Sequence, residues 1–113
     1  MTPLYDVLSA WPIIGEGANM LAKQNAKLAM AIHSRSTHYK LSEIRARHWK
    51  GLASTCGAYG VWGRMVGMVE NVERSLQLVQ AQLPSEFPEE TWQRISDGMK
   101  LHAAQFKREM VAV

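Results

Sequence analysis

Residues 61–83 read VWGRMVGMVENVERSLQLVQAQL. Within them Trp62, Met65, Val66, Val69, Val72, Leu76, Val79 and Leu83 recur three and four positions apart. That spacing gathers side chains on one face of an α-helix. It predicts a single amphipathic helix from about Val61 to Leu83. A second pattern follows a short link, Pro84 to Phe87. Pro88 suits the first turn of a helix, where a missing N–H costs nothing. Glu89 and Glu90 then sit at the positive end of the helix macrodipole. Trp92, Ile95, Met99, His102, Phe106 and Met110 form the stripe of this helix. So short a link makes the two helices antiparallel neighbours. Their expected common core is Trp62, Val69, Leu76, Trp92, Ile95 and Phe106.

Toward the N-terminus a further helix is expected to begin at Ser42, a suitable N-cap, with Glu43 in its first turn. Leu41, Ile44, His48, Trp49, Leu52, Ala53 and Cys56 would form its apolar face, and Gly57 and Gly60 bracket its end. Ser34 to Lys40 is polar and reads as a loop. Asn25 to Ile32 is apolar and fits either a helix or a strand. Residues 1–17 carry Pro3, Pro12, Gly15 and Gly17 and are too punctuated for a long helix; Thr2 to Leu8 suits a short extended segment. The expected fold is therefore mainly α. A three-helix region spans residues 41–113, and an extended segment and loops occupy residues 1–40. There is no internal repeat and no low-complexity tract.

Composition narrows the class. Of 113 residues, 47% are hydrophobic and 20% charged, a balance that supports a packed domain rather than a disordered chain. The formal net charge of +3 is too small to argue for nucleic acid on its own. With one cysteine, Cys56, no internal disulfide can form, which is compatible with a reducing compartment. No apolar run approaches the ~20 residues of a membrane span, and Met1 to Pro12 lacks the basic start of a signal peptide. A cytoplasmic protein is the simplest reading.

Individual residues suggest little chemistry. His33, His38, His48 and His102 form no i, i+4 pair and no Cys/His motif, so a metal site is not expected from them. His48 and His102 read as residues packed at the edges of helix faces. Cys56 has no His or Asp partner in sequence and reads as a buried, inert thiol. Met65, Met68, Met99 and Met110 fall in or beside the stripes, as filler of a core or an interface. Arg45, Arg47 and Lys50, with His48, make a small basic patch, either a solvated helix face or a contact for phosphate or nucleic acid. Gly15-Glu16-Gly17 is not a phosphate loop, because no Lys and Ser/Thr follow it.

The run at residues 2–12, TPLYDVLSAWP, resembles the metal-binding segment of HipA-like serine/threonine protein kinases, the toxins of toxin–antitoxin pairs. Lys27-Leu28-Ala29-Met30, Arg47-His48 and Leu83-Pro84-Ser85-Glu86-Phe87-Pro88 are similar to later segments of that family, in the same order. The resemblance covers nearly the whole chain, and the run at 2–12 is its specific part. It implies that Asp6 holds magnesium against the phosphates of ATP, the role of the metal-binding Asp in protein kinases generally. It also implies that Tyr5, beside it, lines the nucleotide. The cofactors so implied are Mg2+ and ATP.

In the family the catalytic base and a metal-binding Asn lie in a loop just before this segment. Here only Met1 precedes Thr2. No catalytic residue is therefore expected in this chain, and Asp97, inside the last helix, is not placed to replace the base. The resemblance implies a C-terminal piece of a kinase, inactive until the N-terminal part is supplied. Its expected partners are that missing part and an antitoxin protein; nucleic acid contact through the basic patch is weakly indicated, and no membrane is involved. Two alternatives stay open: a helical interaction module without chemistry, and an inactive remnant.

Overall fold

The computed structural model describes residues 9–33 and 36–112. Among these, a two-stranded ribbon precedes four α-helices: β1 Lys27–His33, β2 Thr37–Lys40, α1 Ala46–Thr55, α2 Val61–Glu70, α3 Val72–Gln82 and α4 Glu89–Met110. Short 3-10 turns occupy Trp11–Ile13, Lys23–Asn25 and Leu41–Glu43. The chain is mainly α, as the patterns predict. The extended segment expected at Thr2 to Leu8 lies outside the described residues.

The ambiguous apolar stretch is a strand. The polar stretch expected as a loop contributes its partner: β2 pairs antiparallel with β1, with Ile32 opposite His38 and His33 opposite Thr37. Thr37 and Tyr39 suit a pleated strand, and pairing satisfies backbone groups of the apolar β1 that burial would otherwise strand.

The start of α1 also differs from the expectation. Ser42 lies in a 3-10 turn, and the N-cap is Arg45. The cause is His48 at the third helical position, whose Nδ1 accepts the backbone N–H of Arg45 at 2.9 Å. A Glu or Gln commonly makes this bond in a capping box. At the other end the glycines act as expected, with Gly57 and Gly60 both at positive φ (71° and 78°) after the helix ends.

The long helix expected over residues 61–83 is two helices broken at Asn71. Both the backbone N–H (3.2 Å) and the side-chain Nδ2 (3.0 Å) of Asn71 donate to the carbonyl of Gly67. An Asn side chain that competes for a helix carbonyl favours termination, and Gly63 and Gly67 make α2 a weak propagator. The break alters the stripe beyond it. Leu76 is buried (5% exposed), whereas Val79, on the same predicted face, is 48% exposed.

Helix α4 is the spine. Pro88 is its N-cap rather than its first residue, and α1, α2, α3 and the Trp11–Ile13 turn all pack on it. Trp92, Ser96, Gly98 and Ala103 are its buried positions. Trp11 stands edge-on to His102, ring centroids 4.9 Å apart at 82°, and Trp62 of α2 meets Phe106 at 5.5 Å. Of the expected core, Leu76 and Trp92 are buried, while Trp62, Val69, Ile95 and Phe106 are only half-buried. Cys56, expected to be buried, is exposed, because α1 ends beside it and the chain turns out into solvent.

The core is incomplete. Among the described residues no side chain falls below 2% exposure.

Candidate functional site: an open apolar cleft

Among the described residues a partly open cleft of about 470 Å³ lies between the helices. Trp49 of α1, Met65 and Val69 of α2, and Ala103 and Phe106 of α4 form its floor. Trp11 and Met68 also line it, Met68 being 74% exposed. Val69 and Phe106, both half-buried, line this space.

Few polar groups reach the cleft. Arg45 and Glu109, both in the lining, form an ion pair, Nη1 to Oε1 at 3.5 Å. Gln105 Nε2 donates to the same oxygen, also at 3.5 Å. The other carboxylate oxygen of Glu109, Oε2, is out of contact with solvent and has no hydrogen-bond partner. His102 lines the cleft, and burial, with the charge of Lys23 adding to it, pushes its pKa below the ordinary imidazole value. The lining is mainly apolar, with the Arg45–Glu109 ion pair as its charged element.

The expected site residues map unevenly onto this picture. Tyr5 and Asp6, the nucleotide and magnesium positions implied by the resemblance, lie outside the described residues. Among the described residues no three His, Cys, Asp or Glu side chains converge on a metal-sized point. His33 Nδ1 meets the Thr37 hydroxyl at 3.3 Å, and His38 Nε2 meets that of Ser36 at 3.2 Å. Asp97 is exposed on α4 and accepts from Gln93 at 2.8 Å. The basic patch is dispersed: Arg45 pairs with Glu109, Lys50 lies 5.8 Å from the ring centroid of Trp62, and Arg47 is exposed.

Glu109, in the lining, was not singled out in the sequence, and Met68 was expected there only as filler of a core or an interface. A signal for Glu109 existed. It lies three residues beyond Phe106 and seven beyond His102, which places a carboxylate on the apolar stripe of α4. Met68 reads as filler until Asn71 is known to end its helix.

Among the described residues no helix is long and apolar enough to cross a membrane. Compared with known protein families and with curated proteins, the chain matches none.

Proposed function

We propose that this chain is the C-terminal, helical portion of a HipA-like protein serine/threonine kinase, acting in ATP-dependent phosphoryl transfer only when the rest of the kinase is docked on it. The run at residues 2–12 motivates the family. What supports the incompleteness is the apolar cleft among the helices, with half-buried Val69 and Phe106 in its lining. A chain whose three helices turn apolar side chains into unfilled space is built to be completed by another polypeptide. In the assembled kinase Asp6 would hold magnesium, and the ion would neutralise charge on the transferring phosphoryl group. Tyr5 would line the nucleotide beside it. The catalytic base and the phosphate-binding loop would come from the missing part, and a cytoplasmic location goes with this reading.

The test is transfer of labelled phosphate from ATP to a protein substrate, by the chain alone and with the N-terminal part of such a kinase supplied. No transfer alone and transfer on complementation is the expected result. Transfer by the chain alone that Asp6→Asn abolishes overturns the reading. The cleft equally favours a second reading, a helical module that binds a partner such as an antitoxin without chemistry. Docking without any gain of transfer in the same assay selects it.

A further inference from the structure

Charge is unevenly placed along the chain. Residues 23–50 hold seven of the 13 Lys and Arg and one of the 10 Asp and Glu, a net +6 that leaves −3 on the rest. The base of the ribbon gathers part of it. Lys27 and Lys40 are exposed and directly opposite each other across β1 and β2. Lys23 is exposed on the 3-10 turn just before them. Its carbonyl accepts the Ala26 N–H at 3.2 Å, and the Ala26 carbonyl accepts that of Leu41, next to Lys40, at 2.9 Å. Among the described residues the ion pairs are Arg45–Glu109 and Arg94–Glu90, so none of the three lysines meets a carboxylate. Glu43, the one acidic residue of the segment, is exposed and likewise unpaired.

Like charges directly opposite on a ladder are destabilising, and an anion laid along them would relieve that cost. We propose that this end of the ribbon binds a single-stranded nucleic acid, with its phosphates on Lys23, Lys27 and Lys40 and a base stacked on Tyr39. The site shares no residue with the nucleotide site of the kinase reading and goes beyond it.

The ribbon favours a single strand over other polyanions. Successive side chains of a strand point to opposite faces, so Tyr39 and Lys40 straddle the edge of β2, a ring on one side and a cation on the other. Tyr39 is 51% exposed. It shares its face with Thr37 and with His33, which lies opposite Thr37. Rings beside cations that follow the backbone are how proteins hold single strands without reading sequence. A membrane surface would be met by large aliphatic side chains, and among the described residues this face has none. An acidic peptide would use the lysines and leave Tyr39 idle. Proteins that bind a duplex make about 6–10 phosphate contacts, more than three lysines supply. The buried imidazoles nearby sense the same positive field. Burial lowers the pKa of His48 and His102 first; the charges of His38, Arg47 and Arg45 lower the one further, against Glu109, and Lys23 lowers the other. Such a field draws in a phosphate chain before contact.

The experiment adds the intact chain to a fluorescent oligo(dT) of about 12 nucleotides, within the span one such site covers, and follows anisotropy over a range of salt. With three phosphates neutralised, log K against log salt should have a slope of about −2. Lys27→Gln and Lys40→Gln should each make it shallower by about 0.7. Lys100→Gln, the same charge change on an exposed position of α4, should alter nothing. Tyr39→Ala should weaken binding at least about fivefold without changing the slope, the low end of one base–aromatic stack, and Tyr39→Phe should keep the wild-type affinity. All these positions are exposed, so circular dichroism of the variants should match the wild type, and the wild-type slope tests the site without any variant. No binding, a loss from Lys100→Gln equal to that from Lys40→Gln, or affinity indifferent to Tyr39→Ala overturns the proposal. So does tighter binding of the matching duplex, of polyglutamate or of phosphatidylserine vesicles, each of which names a different polyanion. None of these outcomes touches Asp6, so the kinase reading is judged separately by the transfer assay.

Discussion

The imidazoles of His38 and His48 stack with ring centroids 3.7 Å apart and planes 19° from parallel. The pair joins β2 to the N-terminus of α1, where His48 Nδ1 accepts the Arg45 N–H. That bond requires His48 to be unprotonated at Nδ1. Burial lowers its pKa first; the charges of His38, Arg47 and Arg45 lower it further, and Glu109 opposes them.

A pH dependence of stability follows. His48 and His102 both have folded pKa values below the unfolded value of 6.5. The unfolded chain therefore binds more protons than the folded chain as pH falls through that value. Their contribution is complete above pH 6.5 and is lost progressively as pH falls toward the lowered folded values. Thermal midpoints between pH 8 and pH 5 should drop on the acid side. His48→Gln should flatten the drop, because the amide keeps a cap acceptor and does not titrate. A midpoint that is flat in the wild type, or that falls just as steeply in His48→Gln, is incompatible with this account.

Gly98 lies under Trp11, and a Cβ added there would fall onto the indole ring. In an exposed helix Gly→Ala stabilises by about 1 kcal/mol. Here the overlap with Trp11, at a cost of about 1–3 kcal/mol, should reverse the sign. Gly98→Ala is expected to lower the midpoint and shift the Trp fluorescence, and Trp11→Ala in the same background should recover part of the loss. A stabilised Gly98→Ala would show that Trp11 does not pack on α4.

Leu76 and Val79 test the break at Asn71. Leu76→Ala should cost about 2–5 kcal/mol as a buried truncation. Val79→Ala, at an exposed position, should stay within about 0.5 kcal/mol. Urea unfolding of both variants distinguishes the two-helix arrangement from one continuous helix, in which both would be costly.

Nucleotide binding follows the proposed kinase role. Magnesium held by one carboxylate keeps most of its ligands as water, so the chain alone should bind Mg-ATP at about 1 mM or weaker, ~4 kcal/mol. With the missing kinase part supplied, Asp6→Asn should reduce metal-dependent turnover more than ATP docking. Calorimetry and turnover assays check both. Tight binding by the chain alone, or normal turnover with Asn at position 6, removes Asp6 from the metal role.

Sequence by itself determined the helical class, the turn glycines after α1 and the extent of α4, because three-and-four spacing, positive-φ glycines and a Pro-Glu-Glu start act locally. Tertiary structure decided the rest. β2 is a strand because β1 is there to pair with it, and α1 starts late because His48 folds back onto Arg45. Val69 and Phe106 follow the stripe rule yet stay half-buried, since periodicity says which face is apolar and not whether anything covers it. The cleft depends on how three helices space themselves around Phe106, a distance that no single stretch of sequence encodes.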